Sequence, residues 1–298
     1  MKIGLTFLGT GCMMPTKDRS MIAMLLSYAN ENILIDCGEG TQRQFRLAGI
    51  KPTKITKILI THWHGDHTLG LAGLLQTLTG NEYSGTLELY GPEGSKTYVK
   101  KMFEMFKGNI KLDLKVFEIS SGKFFESQDF YLEALPLKHS TPCLGYSFVE
   151  KDKHKIQMEK LEELGLKRNP LIKKLQVGED IKWEGKIIKA SEVTSVKKGK
   201  KVTFILDTLY CENAIKLAKE ADVLICESTH DKALKAKAKE YNHLTSEDAA
   251  TIAKKAKVDQ LVLTHFSQRY KHTSILRKEA KMIFSNVVCA KDFLRFTI

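Results

Sequence analysis

Eight aliphatic and β-branched runs typical of β-strands recur along the chain, and helical patterns separate several of them. The strand-like runs are IGLTFLG, NILIDCG, KILITH, TLELYG, FYLEALPLKH, VTFILDT, DVLICES and QLVLTH. The helical patterns are DHTLGLAGLLQTLTG, EGSKTYVKKMFEMFK, CENAIKLAKEA and TSEDAATIAKKAK, the last with a capping-box spacing from Thr245 to Asp248. Strands that alternate with helices predict an α/β fold in which helices cover sheets.

The charge distribution interrupts this pattern in one place. Between Lys151 and Lys201, 15 Lys and Arg residues stand against 8 Asp and Glu residues, so this stretch carries +7 of the formal net charge of +12. Its segment KIQMEKLEELGLKRNPLIKKL predicts two short helices joined by a turn, with too few apolar residues for a separate core. We therefore expect a single domain over residues 1–298, with residues 151–200 forming an inserted arm.

The overall composition limits the classes of partner. A cationic excess favours a polyanionic partner, although a solvated lysine-rich surface is the simpler explanation of any charge run. The longest apolar stretches are far shorter than the roughly 20 residues that a membrane span needs, so we expect no membrane association. No secretory signal is recognisable, and the six cysteines form no C-x-x-C pair, which favours reduced thiols and a cytoplasmic protein.

The stretch THWHGDH concentrates metal-ligating side chains directly after the strand-like run KILI. His62 and His64 point to the same side of an extended segment, and Asp66 and His67 can turn back toward them if the chain turns at Gly65. A lone histidine on an apolar face is usually a hydrogen-bonded core residue. Four such side chains in six positions would be unfavourable to bury without a cation, so the stretch predicts part of a metal site.

Three further candidate ligands, His139, Asp207 and His265, end other strand-like runs. Each is a weak signal alone, and for Asp207 a turn or capping role is the simpler interpretation. Together they repeat the arrangement in which the strands of an α/β layer deliver polar side chains to one rim. Seven ligands with one shared carboxylate would hold two zinc ions, although manganese would also be accepted by the same ligands.

The pattern H-x-H-x-D-H, followed by a lone His, a lone Asp and a last His, resembles the metallo-β-lactamase superfamily. DCGEGTQRQ, PTKDRS, HLTS and LTHFSQRY are similar to motifs of its tRNase Z branch and occur in matching order. The resemblance implies a four-layer αββα metallo-β-lactamase fold with an inserted basic exosite arm. It also implies a zinc-dependent endoribonuclease that removes the 3′ trailer from precursor tRNA by metal-hydroxide attack, leaving a 3′-hydroxyl on the tRNA and a 5′-phosphate on the trailer.

The resemblance assigns roles to the candidate residues. The ligands of one zinc ion would be His62, His64, His139 and Asp207. The ligands of the second zinc ion would be Asp66, His67, Asp207 and His265. Asp66 would also orient or deprotonate the attacking water. His243 in HLTS matches the family's proton-donating histidine, and Glu227 in CEST matches the glutamate that holds it, although a helix-start residue and a plain salt bridge are the alternative interpretations.

RNA contacts are also implied by the resemblance. The basic segment matches an exosite arm that grips the tRNA body, and family members are usually homodimers in which the arm of one subunit engages tRNA bound by the other. The residues expected to contact phosphate there are Lys167, Arg168, Lys173 and Lys174. PTKDRS resembles a loop near the tRNA 3′ end, which makes Lys17 and Arg19 candidates. Ser20 replaces the usual Asn of that loop, and Cys226 stands where many members have His.

Two other functions stay open at this point. The same metal site acting on a small phosphodiester or an arylsulfate is one, and the basic arm argues against it. A non-enzymatic RNA-binding or metal-storing protein is the other, and it has no need of Asp66 and His243 beyond the ligand set. We interpret Asp36, Arg43 and Gln44 of DCGEGTQRQ as buried scaffold residues rather than as catalysts.

Overall fold

A computed structural model describes residues 2–106, 111–166 and 169–298 of the chain. The strands in these ranges are β1 (Ile3–Gly9), β2 (Gly11–Cys12), β3 (Ala23–Tyr28), β4 (Glu31–Ile35), β5 (Lys57–Leu59), β6 (Thr86–Gly91), β7 (Asp113–Glu118), β8 (Gly122–Glu126), β9 (Phe130–Pro136), β10 (Leu144–Glu150), β11 (Lys153–Ile156), β12 (Ile181–Trp183), β13 (Lys186–Ile188), β14 (Thr194–Lys197), β15 (Lys201–Ile205), β16 (Val223–Glu227), β17 (Gln260–Thr264), β18 (Phe266–Ser267), β19 (Val287–Cys289) and β20 (Arg295–Thr297). The helices are α1 (Thr41–Leu47), α2 (Gly65–Thr68), α3 (Leu71–Gly80), α4 (Ser95–Met105), α5 (Met158–Glu163), α6 (Ile172–Gln176), α7 (Ala190–Val193), α8 (Glu212–Ala218), α9 (Lys235–Glu240), α10 (Ser246–Ala256) and α11 (Ser274–Lys281), with 3₁₀ turns at Pro52–Lys54 and Lys232–Leu234. None of the helices in the described ranges is both long and apolar enough to cross a lipid bilayer.

Within the described residues, most of the strands form two seven-stranded mixed sheets. The first sheet has the order β20-β1-β3-β4-β5-β6-β7 and is antiparallel as far as β4, then parallel. The second has the order β19-β17-β16-β15-β10-β9-β8 and is parallel as far as β15, then antiparallel. All eight strand-like runs predicted from the sequence lie in these sheets, so those predictions are confirmed.

The two sheets pack face to face, and helices cover both outer faces. Phe7 of the first sheet and Tyr146 and Phe204 of the second belong to one buried apolar cluster between the sheets. Leu74 and its neighbours on α3 pack with α1 and α4 against the outside of the first sheet. Ile252 on α10 packs with α8 and α11 against the outside of the second. The layer order is αββα, as predicted.

Helix α10 begins at the capping box predicted from the sequence. The Asp248 N–H donates to Thr245 Oγ1 at 3.2 Å, and the Thr245 N–H donates to Asp248 Oδ2 at 3.2 Å. A cap of this kind stabilises a helix by about 1 kcal/mol. Because Thr245 follows His243 by two residues, the cap also fixes the path of the chain at a predicted catalytic residue.

The segment between β10 and β15 departs from the layered arrangement. An antiparallel ribbon of β11 and β14 leads to α5, α6, the β12–β13 hairpin and α7. The two helical pieces predicted from the sequence correspond to α5 and α6. A small apolar cluster of the segment's own, which the sequence analysis did not anticipate, consists of Leu161, Leu166, Leu175, Ile181, Ile188, Ala190 and Val193. Lys173 and Lys174 are exposed on α6, whereas Lys167 and Arg168 lie outside the described residues.

Candidate metal centre and active site

Five strands deliver candidate site residues to one rim of the sandwich. β15, β16 and β17 run parallel to one another, and β9 has the same direction because the antiparallel strand β10 lies between it and β15. The carboxyl end of β5 in the first sheet meets the same rim, since Leu144 N–H at the start of β10 donates to Thr61 O at 2.9 Å. The residues at or just after these strand ends are His62, His139, Asp207, Glu227 and His265.

The THWHGDH stretch changes from extended to helical backbone at its glycine. His62 and His64 lie side by side, with ring centroids 4.6 Å apart, as predicted for an extended segment. His64 is still extended, with φ −72 and ψ 154, and α2 begins at Gly65. This change of direction brings Asp66 and His67 back toward the first two histidines.

Two glycines outside the stretch allow it to pack against the strands. A Cβ atom on Gly38 would lie 2.4 Å from the carbonyl oxygen of Asp66, and a Cβ on Gly70 would lie 2.0 Å from that of Gly38. Real Cβ atoms do not approach a carbonyl oxygen so closely, so both positions require glycine. The first glycine of DCGEGTQRQ, Gly38, therefore contributes to the site by letting the backbone at Asp66 approach closely.

The ligand atoms of the seven predicted metal ligands converge in two groups. The first group is His62, His64, His139 and Asp207. The second group is Asp66, His67, Asp207 and His265. Within each group the ligand atoms lie within 4.8 Å of one another. Asp207 belongs to both, with Oδ2 3.6 Å from His62 Nε2 and Oδ1 3.2 Å from His265 Nε2.

The spacing of these atoms fits divalent metal ions. Ligands about 2.0–2.1 Å from a tetrahedral zinc ion lie about 3.3–3.4 Å from one another. Here His64 Nδ1 is 3.0 Å from His62 Nε2 and 3.1 Å from His139 Nε2, and the Nε2 atoms of His67 and His265 are 3.2 Å apart. The buried Oδ1 of Asp207 accepts no hydrogen bond from the described residues. A cation in each group would satisfy both the facing imidazole nitrogens and this carboxylate oxygen.

Burial and charge set the protonation of the ligands. Burial alone would raise the pKa of Asp207, but the charges of His265 and His67 lower that pKa well below its usual value. Burial lowers the pKa of His62 and of His139. These directions keep the bridging carboxylate ionised and these two imidazoles neutral, the forms that bind a metal ion. Burial would lower the pKa of His67 and of His265, but the charge of Asp207 raises both well above the usual value, so these two rings must release a proton when a metal ion binds.

Asp66 lies at the exposed side of the second group. Its Oδ2 accepts a hydrogen bond from the Met13 N–H at 2.9 Å and is 3.5 Å from His265 Nε2. Burial opposes ionisation of Asp66, but the hydrogen bond to His265 and the charge of His67 lower its pKa below the usual range. Asp66 is therefore an ionised carboxylate with one backbone donor fixing its orientation.

Asp36 positions a metal-ligand candidate from behind. Its Oδ2 lies 2.6 Å from His67 Nδ1, and its Oδ1 accepts a hydrogen bond from the Thr61 N–H at 2.7 Å. A carboxylate behind an imidazole fixes the tautomer and orientation of the ring that faces the metal. Asp36 and His265 both have left-handed backbone, with φ of 54 and 58, a strained state common at functional sites.

The other two residues of the DCGEGTQRQ motif differ from each other. Gln44 is buried, and its side-chain amide donates to Leu8 O at 2.5 Å, as expected of a scaffold residue. Arg43 is exposed, so the expectation that it is buried is wrong. The reason is local: on α1 Gln44 faces the sheet, and the preceding residue points about 100° around the helix.

Further residues that the sequence analysis did not single out hold the ligands in place. Thr229 Oγ1 lies 3.0 Å from His265 Nδ1 and donates to Glu227 Oε2 at 2.6 Å. His139 Nδ1 is 3.1 Å from the carbonyl oxygen of Asn242. Thr229 is the last residue of CEST, so the sequence places it close to Glu227. Its contact with His265 depends on tertiary packing and could not be predicted.

Glu227 and His243 form a hydrogen-bonded pair beside the metal ligands. Nδ1 of His243 is 3.2 Å from Oε1 of the fully buried Glu227. Burial alone would lower the pKa of His243, but the charges of Glu227 and Asp207 raise it to about 9. The ring centroid of His243 is 5.6 Å from that of His139 and 5.7 Å from that of His265.

Glu227, His243 and His265 also have ligand atoms within 4.8 Å of one another, which would permit a third metal group. Both carboxylate oxygens of Glu227 already accept hydrogen bonds, from the Thr208 N–H at 2.9 Å and from the Thr229 hydroxyl at 2.6 Å. This arrangement suits a carboxylate that supports an imidazolium better than a metal ligand.

Of the two loop residues predicted to contact RNA, Lys17 is exposed and Arg19 is only partly so. Arg19 donates a hydrogen bond to the carbonyl oxygen of Tyr270, and its guanidinium lies 5.8 Å from the centroid of the Phe266 ring. These contacts hold the PTKDRS loop against HFSQRY. Arg19 therefore has a packing role in addition to any contact with RNA.

A basic groove opens beside Arg19, with a volume of about 790 Å³. Its cationic side chains are Arg19, Lys271, Arg277, Lys278, Lys281 and Lys291. Among the described lining residues Asp18 carries the one carboxylate, and none of the four lysines forms an ion pair with a described residue. Because Ala290 N–H donates to Leu263 O at 2.8 Å, the groove lies at the same rim as His265.

Comparisons with known proteins agree with this fold and site. Residues 23–152 match the model of the metallo-β-lactamase superfamily. The ribonuclease Z of Methanothermobacter thermautotrophicus is 40% identical over 290 residues, 97% of this chain and 94% of that protein, and the ribonuclease Z of Bacillus cereus is 39% identical over 301 residues, 98% of each. The crystal structure of human tRNase Z, short form, has a TM-score of 0.71 at 30% identity and covers 98% of both chains. The chain therefore belongs to the ribonuclease Z family of the metallo-β-lactamase superfamily, and the predicted fold class and resemblance are confirmed.

Proposed function

We propose that this protein is a zinc-dependent endoribonuclease that removes the 3′ trailer from precursor tRNA, leaving a 3′-hydroxyl on the tRNA and a 5′-phosphate on the trailer. The observation that carries the proposal is the position of the Glu227–His243 pair, a proton donor beside two groups of metal ligands. Metal ions alone could hydrolyse many esters. A protonated imidazole at their side is suited to a leaving group that departs as an alkoxide, such as the 3′-oxygen of a ribose.

The residues of the chain divide the reaction between them. Two metal ions in the site would lower the pKa of a water molecule and stabilise the charge that develops on the phosphoryl oxygens. Asp66 is ionised and orients the attacking water or accepts its proton. His243 keeps its proton at neutral pH, because its pKa is about 9, and donates it to the leaving 3′-oxygen. Glu227 stabilises the protonated form of His243.

Zinc is the metal that the donor set favours. Imidazole nitrogen and carboxylate oxygen in two groups of four suit tetrahedral zinc ions with one shared carboxylate, so we propose two Zn²⁺ per subunit. Manganese prefers more oxygen ligands but is accepted by similar sites, and Mn²⁺ is the alternative metal.

The distribution of cationic side chains supports an RNA substrate. Lys17 and the basic groove lie at the rim of the metal ligands, where they would contact the phosphates of RNA bound in the site. Lys173 and Lys174 are exposed on the inserted segment. We propose that residues 151–200 form an arm, inserted into a single domain, that binds the tRNA body.

The position of the arm supports a homodimer. β10 begins at the metal rim and ends at Glu150, whose N–H donates to Lys200 O at 2.8 Å at the base of the arm. A strand of this length spans about 20 Å, so the arm leaves the sandwich at the rim away from its own metal ligands. An arm in that position is better placed to hold tRNA bound to a second subunit.

The cysteines support the proposal of a cytoplasmic location. The six cysteines are all unpaired, in keeping with a reducing cytoplasm.

The decisive experiment is incubation of zinc-loaded protein with a precursor tRNA that carries a 3′ trailer, followed by mapping of both new ends. We expect a single cut on the 3′ side of the acceptor stem, a 3′-hydroxyl on the tRNA and a 5′-phosphate on the trailer. An intact precursor, with turnover of a small phosphodiester or an arylsulfate under the same conditions, would instead favour a phosphodiesterase or arylsulfatase acting on small substrates.

A further inference from the structure

A cavity of about 280 Å³ opens beside the ring of His243. Its walls come from three distant parts of the chain and include Met13, Met14, His230, Tyr241, His243 and Arg269. Ligand pockets usually measure about 300–1,000 Å³, and this cavity lies at the small end of that range. It is too small for a folded RNA stem and suits a single nucleoside. Among the side chains of these residues, the mechanism proposed above uses only that of His243.

The cavity contains a buried polar side chain without a partner. His230 is 4% exposed, and its Nδ1 makes no hydrogen bond with any described residue. Its backbone is fixed, because the Ser246 N–H donates to His230 O at 3.0 Å. Burying an unsatisfied polar atom is unfavourable, and such atoms in a native structure are commonly completed by a ligand or a water molecule.

His230 is also a neutral imidazole. Burial and, after it, the charge of Arg269 lower its pKa to about 4. At neutral pH the ring therefore offers one N–H donor and one nitrogen acceptor, which is the pair of functions that a hydroxyl group can satisfy. A charged phosphate would be a poorer partner for it than for the neighbouring Arg269.

The geometry points to a ribose. The centroids of the His230 and His243 rings are 6.3 Å apart, and the rings are inclined by 76°. His243 must reach the 3′-oxygen that leaves the phosphorus, so the ribose bearing that oxygen lies against the His243 ring. The adjacent hydroxyl of the same ribose is on the neighbouring carbon, and His230 is the next imidazole along the cavity wall.

We propose that this cavity binds the ribonucleoside on the 5′ side of the scissile phosphate, and that the imidazole of His230, which lines the cavity, makes a hydrogen bond with its 2′-hydroxyl. The inference rests on the proposed function, since it takes His243 as the donor to the 3′-oxygen. His230 is then a binding residue that distinguishes RNA from DNA at this one nucleotide.

The other walls of the cavity suit a base of any identity. Met13 is 72% exposed, Met14 47% and Tyr241 52%, so an apolar and aromatic surface faces the opening. Met14 is held by the side-chain amide of Gln268, which donates to its sulfur at 3.0 Å. Stacking on such a surface tolerates every base, because each base has a π-face. A site that recognises the ribose through His230 and stacks the base on a nonspecific surface fits substrates in which the identity of that base varies.

The test is a thermodynamic cycle on the zinc-loaded protein. Two precursor tRNAs differ only in a 2′-hydroxyl or 2′-hydrogen at the nucleotide 5′ to the cut, and each is cleaved by the wild type and by His230→Phe. We expect the 2′-deoxy substitution to lower kcat/KM of the wild type about five- to tenfold beyond its effect on the variant. Equal effects of the 2′-deoxy substitution on both proteins would overturn the proposal, while cleavage of the all-ribose precursor would leave the proposed function intact.

A binding measurement separates recognition from chemistry. Mature tRNA binds to the enzyme but has no bond to be cut. Two mature tRNAs, one ending in a ribonucleotide and one in a 2′-deoxynucleotide at the cleavage position, are each titrated against the wild-type protein. We expect the wild type to bind the ribose-ended tRNA about five- to tenfold more tightly, and His230→Phe to bind both equally. Equal binding of the two tRNAs by the wild type overturns the proposal without use of any variant.

Two further variants control for changes in folding. His230→Gln keeps a donor and an acceptor, and we expect it to retain part of the preference for ribose. Tyr241→Ala changes an exposed side chain, and we expect it to weaken binding of both mature tRNAs equally, because the base platform is altered and the ribose contact is kept. If Tyr241→Ala instead removes the preference for ribose, the contact with His230 is not its source and the proposal fails.

Discussion

The Nδ1 atom of His243 lies 3.2 Å from Oε1 of Glu227, and the second oxygen of the same carboxylate accepts a hydrogen bond from Thr229. Thr229 Oγ1 in turn lies 3.0 Å from Nδ1 of the metal-ligand candidate His265. One buried carboxylate is thereby linked to the proton donor and, through a hydroxyl, to the metal centre. Changes at Glu227 should affect the proton donor first, because that contact is direct.

Glu227→Gln keeps the size of the side chain and an oxygen for the Thr208 N–H but removes the negative charge. Burial lowers the pKa of His243, and Glu227 is the largest influence that offsets it, so the pKa of His243 should fall from about 9. Since the protonated form is the donor, activity is lost as pH rises through this pKa. We expect the alkaline limb of kcat/KM for precursor tRNA to move to lower pH in Glu227→Gln.

Glu212→Gln is a matched control, because Glu212 is an exposed glutamate in the first turn of α8. Its pH profile should coincide with that of the wild type. An unchanged alkaline limb in Glu227→Gln would show that Glu227 does not support the proton of His243 and would leave the salt-bridge interpretation of this residue.

Asp66→Ala removes both a ligand of the second metal group and the carboxylate that orients the water. Proton transfer by a positioned side chain contributes about 10²–10⁴-fold to rate, so we expect kcat to fall by at least a factor of about 100. Single-turnover cleavage and metal analysis of the same sample are the measurements. A variant that retains zinc and cleaves at the wild-type rate would contradict the assignment of Asp66.

Removal of the metal ions should destabilise the fold as well as abolish cleavage. Facing imidazole nitrogens and the unsatisfied oxygen of Asp207 are buried together, so the folded state binds the ions and the unfolded state does not. Binding at a hundredfold excess over Kd stabilises a protein by about 2.7 kcal/mol per site. We expect a chelator to lower Tm and zinc to restore both Tm and activity, with two ions per chain in the restored protein.

Much of this site could be predicted from the sequence, because its ligands follow strands. His62, His139, Asp207 and His265 each come at or just after the end of an aliphatic run, and the direction of parallel strands brings such ends to one rim. Strands β8 and β10 were not predicted. GKFFE is short, LGYSFVE has a glycine at its second position, and both are strands because they pair with the two edges of β9.

The supporting residues could not be predicted, since their roles depend on contacts between distant segments. Asp36 reads as a polar residue after a strand, and only the fold shows that it lies behind His67. The unpartnered nitrogen of His230 is likewise a property of packing among segments around residues 13, 230 and 268. Sequence patterns predict which side chains lie at a rim of the sheets. They do not predict which polar atoms find a hydrogen-bond partner, because that depends on how distant segments pack in the folded chain.

Asp36→Asn tests the support behind His67. The variant puts an amide where three groups, the Thr61 N–H, the Thr61 hydroxyl and the His67 imidazole, need an acceptor, so we expect about 1–3 kcal/mol of destabilisation. Loss of an outer partner of a metal-binding histidine typically weakens metal affinity about 10–100-fold. Chelator competition measures the affinity, with the exposed Asp18→Asn as control; equal affinities in the two variants would assign Asp36 to stability alone.

Replacement of Lys173 and Lys174 by alanine tests the arm as an RNA-binding element. Both side chains are exposed on α6, far from the metal rim, so the change should weaken binding of precursor tRNA without altering the chemistry. Two lost phosphate contacts reduce the slope of log K against log salt concentration by about 1.4–1.8. We expect kcat/KM for precursor tRNA to fall and turnover of bis(4-nitrophenyl) phosphate to stay constant.

The matched control replaces Lys51 and Lys54, exposed lysines at the amino end of β5, and removes the same charge from a surface with no proposed RNA contact. If the arm binds RNA specifically, the control keeps the wild-type salt dependence while the α6 variant does not. Equal losses in the two variants would mean that net charge alone attracts the RNA.

Mixing the α6 variant with Asp66→Ala tests which subunit each arm serves. In a mixed dimer, one subunit has an intact active site and the other has an intact arm. If the arm serves the active site of the partner subunit, mixed dimers regain cleavage of precursor tRNA; if it serves its own active site, they do not.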